Sequence, residues 1–519
     1  MRVLLFIWLV IVVGFSNAYA QRTVRVKQAG SLRQVVIDGE SVQKLVEDVW
    51  LIHETTNIKC DSAYFYKSTN SAKAFGNVRI TDAEDGLNLR GEYLEYDGNG
   101  RIAKMREKVI LLDDSASLYT DYLDFDRNNQ IGFYFNGGKL VDSTNVLTSI
   151  SGYYNTQTKT SQFIDSVFLE SPDYQLTTDT LNYSTLSKVL ITRGNTEAFT
   201  FDGDTLRTKV GLLYNSNLKY SEVYYGNITT AAYEIKADSI FANDSIQFYE
   251  ADYNVRMKSK EDSMTIFGEH MKYYRNQGKA IVYEDSYLRK FIQSDSLFIK
   301  GDTLLSIQDT IRNEKYLTAY RGVEMFKSDM QARADSVSYN LSDSTIYLYQ
   351  NPIIWNVDSQ IEADSINILI RNNVIHRMDL ALNSFVITQD TAQNFNQVKG
   401  RNMKVYFVDG LITKADVDGN GESIYFAIDK KDGSSSMNKV ICSNMALYFE
   451  NNAVSELRMF SNVEGDYVPP FEIKEQDTKL RGFDWQEETR PKLLDIAKHL
   501  QKELIIPMGK KEKLPVKKG

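Results

Sequence analysis

Between Val35 and Val463 the chain alternates apolar and polar residues in short runs, and clusters of Gly, Asn, Asp and Ser separate the runs. A period of two puts every second side chain on one face of a strand, so the pattern predicts many half-buried strands joined by tight turns. No long helical period appears before the C-terminus.

The alternation is itself repeated. Aligned on Asp364, with apolar residues two and four places later at Ile366 and Ile368, the same frame starts at Asp61, Glu92, Asp121, Gly152, Asp179, Val210, Asp238, Glu269, Asp295, Asp335, Asp364, Arg401 and Ser443. Its period is about 30 residues for most of the chain and loosens late, which predicts a stacked architecture. Turn-forming residues follow the frame at Asp97–Gly100, Asn276–Gly278, Arg371–Asn373 and Asp418–Gly421, so each unit contains at least a hairpin. A second mark comes fifteen or sixteen residues after several starts, at Gly76-Asn77-Val78, Gly194-Asn195-Thr196, Gly226-Asn227-Ile228 and Asn351-Pro352-Ile353. The unit therefore has two punctuated halves. Since so many equivalent Asp-Ser positions cannot all be catalytic, the Asp is read as architectural, bonding nearby backbone at a turn.

This two-part unit resembles the OstA-like (organic solvent tolerance) family of lipopolysaccharide-transport proteins. The resemblance is carried by CDSAYFY and AFGNVRI within Cys60 to Ile80, and by ADSVSYN, YQNPIIW and IEADSINIL within Ala334 to Ile370. It implies an all-β, elongated, twisted, open-ended β-jellyroll in the periplasm whose apolar interior holds the acyl chains of lipid A while the sugars stay outside. It also implies head-to-tail joining of members through exposed edge strands, bridging inner and outer membranes. The chain differs from the family in its length and in lacking the membrane barrel that follows this fold in the outer-membrane member.

On this reading the groove candidates are Leu181, Tyr183, Met271, Tyr273, Leu297, Ile299, Val337, Tyr339, Ile366 and Ile368. Met adapts to irregular acyl chains, and hydrocarbon burial is worth about 0.8 kcal/mol per CH₂. The candidate assembly edges are Val35-Val36-Ile37 and Ala446-Leu447-Tyr448-Phe449, since unpaired strand edges invite another chain. The expected partners are lipopolysaccharide through its lipid A part and other transport proteins, with peripheral association at the outer membrane.

Composition supports strands: Tyr (32) and Phe (25) are abundant and Pro (7) is scarce. A net charge of −9, with Lys clustered only in the tail, argues against nucleic acid. The organisation read from the chain is a signal peptide over 1–20 ending at Ala18-Tyr19-Ala20, a lead-in over 21–34, the repeat array over 35–468 in one or more segments, a linker and helix over 469–507, and a basic tail over 508–519. No Cys stands near the cleavage site to take a lipid anchor. The helix is predicted from Thr489 as N-cap, with Leu493, Ala497, Leu500 and Leu504 on one face and Pro507 as its stop. It is expected either to cap the last strands or to dock on a partner.

Candidate chemistry is sparse, and neither metal nor cofactor is expected. Asp416-Val-Asp418-Gly-Asn420-Gly421 begins like a calcium loop, but the position that should carry Glu is Ala427, so it reads as a hairpin turn. His53, His270, His376 and His499 show no ligand spacing, and neither a nucleophile elbow nor a P-loop occurs. The chain is read as non-enzymatic. Cys60 and Cys442 stand one place before the first and last frames, and at about 4.8 Å per added strand they lie roughly 55 Å apart, beyond disulfide reach. Two other classes stay open: an exported β-helix acting on or adhering to polysaccharide, and a lipid-free structural scaffold.

Overall fold

The computed structural model describes residues 23–496 except 85, 293–294, 310, 312–313, 373, 430–432 and 451–452. The expected signal peptide and basic tail, and the helix positions beyond Ile496, lie outside the described residues. The chain divides into two compact units, Met1–Phe201 with Asn215–Asn217, and Asp202–Tyr214 with Leu218–Gly519.

Each unit is built from antiparallel strands in which one hairpin follows another, as in Thr56–Tyr66, Ser71–Asp82, Asn88–Asp97 and Ile102–Leu112. This antiparallel ladder overturns the β-helix alternative, which requires parallel strands. The Asp97–Gly100 turn closes a hairpin, with Asp97 Oδ1 accepting from the N–H groups of Asn99 and Gly100.

Most long strands are bent in the middle, and the bend explains the second sequence mark. At Gly76-Asn77 both residues have positive φ (73° and 47°), and the register with both neighbouring strands shifts across the pair. Similar left-handed pairs occur at Glu107-Lys108, Asp165-Ser166, Tyr253-Asn254, Arg321-Gly322 and Leu382-Asn383. Asp418–Gly421 belongs here too: Gly419-Asn420 is a bend inside the Leu411–Ile428 strand and not the hairpin turn expected from sequence. The extra residue of a bulge resets the alternation. In Thr56–Tyr66 the buried positions are 56, 58, 60, 63 and 65, so both halves of the bent strand turn the same way. Each unit therefore has two walls, A and B, joined along a row of corners.

The frame Asp secures those corners. Asn77 Nδ2 donates to Asp61 Oδ2 at 2.8 Å, Asn254 to Asp238 at 2.7 Å and Asn383 to Asp364 at 3.0 Å, while the backbone N–H of Asn195 donates to Asp179 at 2.8 Å. The Asp is architectural, as its repetition predicts. A Cβ on Gly194, whose φ is +87°, would lie 2.2 Å from Asp179 Oδ2.

Within unit 2 part of the sheet of wall B is covered on both faces. Residues 469–496 run across its outer face as a strap: Leu480 packs with Phe385, Ile387, Ile424, Phe426 and Met437, and Ile496 with Tyr287 and Phe298. Two buried glutamines hold the strap's main chain. Gln397 donates to the Thr478 carbonyl (2.7 Å) and accepts from the Leu480 N–H (2.8 Å), and Gln360 does the same with Asp484 (2.7 Å) and Gln486 (2.8 Å). Thr489, the expected N-cap of the C-terminal helix, ends a 3-10 turn, and the helix itself is a single turn, Leu493–Ile496, among the described residues. That turn backs a wall rather than capping the last strands, because Leu493 and Ile496 meet Tyr287 and Phe298 of a much earlier hairpin.

Both cysteines are buried free thiols, and burial pushes Cys60 up to about 12 and raises Cys442. Neither thiol is expected to react with a disulfide reagent at pH 8 before unfolding, and a time course with and without denaturant checks this. Gly194→Ala is expected to cost about 1–3 kcal/mol of stability through strain at the left-handed corner, read from denaturant unfolding; an unchanged midpoint would refute the clamped-corner account.

Candidate functional site

The inner faces of the walls form continuous cross-strand rows. In wall B of unit 1 the row Leu51, Ile58, Ile80, Leu89, Leu111, Leu118, Leu140, Leu147, Leu169, Leu176 is buried throughout, with no member above 2% exposed. In wall A of unit 2 the row Ile240, Ala251, Met271, Val282, Leu304, Ala319, Val337, Leu348, Ile366, Leu380, Met403, Val417, Met445 is equally closed. A sheet face so fully removed from water needs a cover, and the other half of the same bent strands supplies it.

The groove candidates from sequence fall on these faces. Met271, Val337 and Ile366 share one row of wall A; Tyr339 and Ile368 lie in the next, where Tyr273 is only partly buried. Leu181 and Tyr183 hold the corresponding positions in unit 1. Leu297 and Ile299 are also buried, but on wall B, since Ile299 pairs with Leu288 and Met325. The wall A counterpart is Leu304, so the frame assigned to Asp295 belongs at Asp302. One long bent strand is here split into Asp295–Lys300 and Thr303–Asp309, and both pieces alternate alike.

Of the two expected edges, Ser31–Ile37, which carries Val35, Val36 and Ile37, pairs only with Glu40–His53 among the described residues, and Val36 is 75% exposed. Ala446 to Phe449 instead lie inside Ser435–Glu450, paired on one side with Leu411–Ile428 and on the other with Ala453–Phe460. They are not an edge, because the chain continues past the last frame into two further strands. Among the described residues, Ala453–Phe460 and Glu464–Val468 form a free edge of unit 2 beyond Ser435–Glu450.

At both edges the inner row emerges into solvent. Leu32 pairs with Leu45, the first buried member of the wall A row of unit 1, and is 51% exposed. Met459 continues the row of Met403, Val417 and Met445 in unit 2 and is 37% exposed.

The free margins of the two walls are fastened by a repeated acid–base contact that the sequence reading missed. In unit 1, Glu54, Asp82, Asp113 and Asp142 at the margin of wall B meet Arg101, Arg127, Lys159 and Lys188 at the margin of wall A. Tyrosine hydroxyls join them: Tyr154 donates to Asp113 and Tyr183 to Asp142. Asp82 and Arg127 are fully buried, and Asp82 also accepts from Thr55 and Thr56 at 2.8 Å. In unit 2, Asp204–Arg275 and Asp262–Lys315 are equivalent. In unit 1 the signal was present as acids about 30 residues apart, each matched by a cation about 46 residues later, a spacing that crosses from one wall to the other.

Electrostatics follow from this geometry. Burial alone would raise the Asp142 carboxyl, but bonds from the Lys188 ammonium and Tyr183 hydroxyl bring it down to about 2. Asp82 is likewise lowered against its burial, by the Thr55 and Thr56 hydroxyls, the Glu84 N–H and Arg127. His53 bonds the Tyr96 hydroxyl at 2.7 Å inside unit 1, His270 bonds Asp252 at 2.6 Å, and His376 is exposed. Among the described residues no group of three or more His, Cys, Asp or Glu side chains could hold a metal, and no helix is long and apolar enough to cross a membrane.

The margin fasteners should be measurable. Arg127→Met, which leaves Asp82 buried without its cation, is expected to lower stability by about 3–5 kcal/mol, read by denaturant unfolding. Because Asp82 and Asp142 are both held below the ordinary carboxylate range, their contribution is full above about pH 4 and is lost as the pH falls below it, for Asp142 toward about 2. Asp142→Asn should flatten part of that acid limb in a pH series of unfolding free energies.

Comparison with known families gives two matches. Residues 21–179 match the family model described as OstA-like protein, and residues 234–374 match that of the LptA/(LptD N-terminal domain) LPS transport protein. No curated protein matches the chain. The two family matches fall one in each unit, agree with the bent, antiparallel hairpins found there, and together support an OstA-like family of lipopolysaccharide transport for this chain.

Proposed function

We propose that this chain is a non-enzymatic periplasmic carrier of lipopolysaccharide that takes lipid A acyl chains between its walls and joins neighbouring transport proteins through its free edges. The observation that supports this best is the course of the inner rows. They are apolar over the length of each unit and emerge at strands paired on one side only among the described residues, at Leu32 in unit 1 and Met459 in unit 2. A partner strand added there would satisfy the free backbone groups and extend the apolar surface in one step. Its chemistry is therefore another edge strand with an apolar inner face. Signal-directed export and peripheral outer-membrane association complete this reading.

The closed packing of the inner rows favours a second reading, a scaffold that carries no lipid. One experiment separates them: a photoreactive phenylalanine analogue at Ile368, irradiated in intact cells, should yield a lipopolysaccharide adduct. No adduct from a folded, exported protein would refute the carrier. For assembly, Leu32→Glu and Met459→Glu should each weaken end-to-end association at least tenfold in sedimentation or pull-down. Their exposure predicts changes within about 0.5 kcal/mol in monomer stability.

A further inference from the structure

The acid–base fasteners do more than stabilise a closed shell. Inner rows that are no more than a few per cent exposed leave no room for an acyl chain between the walls, so any occupant requires the walls to part. The ladder hydrogen bonds run between neighbouring strands along each wall and would not be broken if both walls swung about their corners. What opposes that swing at the margins is the set of side-chain contacts from wall B to wall A. These contacts recur once per repeat.

Resting on the carrier reading above, we propose that the margin of unit 1 is a lateral gate, with Asp113–Lys159 and Asp142–Lys188 as its latches and an anionic, phosphate-bearing glycolipid as the ligand that opens it. Lys159 and Lys188 keep 24% and 19% of their side chains exposed, while the carboxylates behind them are nearly or wholly buried, at 7% and 0%. An approaching phosphate thus meets the ammonium groups first. It offers them a charge-assisted bond in exchange for the carboxylate, and the acyl chains can enter between the walls as the latch gives way. Asp82–Arg127, sealed from solvent on both sides, is not reachable in this way and remains the fixed clasp. The Tyr154 and Tyr183 hydroxyls, which stand on wall A and bond the same carboxylates across the margin, belong to each latch and must let go together with its lysine. The lysines are accordingly ligand-binding residues, and the two Asp are positioning residues.

The test uses the full chain with Asp142→Cys and Lys188→Cys, bridged across the margin by a short bismaleimide; the native thiols are buried and do not compete. A photoreactive phenylalanine analogue at Leu181, on the inner face of the same wall, reports the arrival of purified lipopolysaccharide. The control is the same variant capped by a monofunctional maleimide. Loading by the bridged protein should be at least tenfold slower than by the capped one, and reduction of the phosphate charge by dephosphorylating the lipid should slow wild-type loading while leaving the capped variant less affected. Equal rates for bridged and capped protein would overturn the lateral gate and leave the carrier standing. No adduct in either, with the fold verified by circular dichroism, would overturn both.

Discussion

One geometric constraint governs this molecule: a strand that bends must still show its apolar side chains to the same interior on both sides of the bend. Period-two alternation alone does not do this, because turning the backbone turns the pleat with it. At a corner one strand changes the phase of its alternation, as in the passage from Cys60 to Ala63, and the strand beside it takes up the extra residue in a left-handed pair such as Gly76-Asn77. Gly or Asn takes at least one of the two places at Gly76-Asn77, Tyr253-Asn254, Arg321-Gly322 and Leu382-Asn383, and the frame Asp fixes several corners by bonding the Asn there. Two walls, an interior between them and a margin opposite the corners all follow from that local choice.

The fold was legible because the repeat shows both halves of the device. The frame positions two places after Asp61, Glu92, Asp121, Asp179, Asp238, Glu269, Asp335 and Asp364 are all buried on inner faces. The period loosens late because strands lengthen, to 16 residues in Val374–Gln389 and 18 in Leu411–Ile428. Errors arose where alternation is blind to which wall it belongs to. Asp295 begins a wall B segment with the same look as wall A, and the Gly152 frame is displaced by two, since Gly152 itself pairs with Phe163 in the row of Leu181. The Ala446–Phe449 edge failed for a related reason: strands after the last recognisable frame carry no frame to announce them. The margin contacts were hidden because their partners lie one and a half repeats apart, a relation that only the closed walls make visible.

Electrostatics and packing divide the work within unit 1. Aliphatic rows hold the interior by burial alone, without directional demands, whereas each margin contact joins a specific acid to a specific base across the open side. A sealed pair such as Asp82–Arg127 is tolerated because neighbouring hydroxyls share the carboxylate. The partly exposed lysines sit at the boundary where water, or another anion, can compete.

The strap on the outer face of unit 2 has a consequence for how its sequence can change. Gln360 and Gln397 grip main-chain atoms, which every residue possesses, and only a few side chains, such as Leu480 and Ile496, are buried against the wall. Ile473, Phe483 and Trp485 add packing and Arg490 bonds Gln331, and the exposed residues between these anchors are therefore free to drift without loss of attachment. Evolution can rewrite that exposed stretch as a changeable label on a fixed mount.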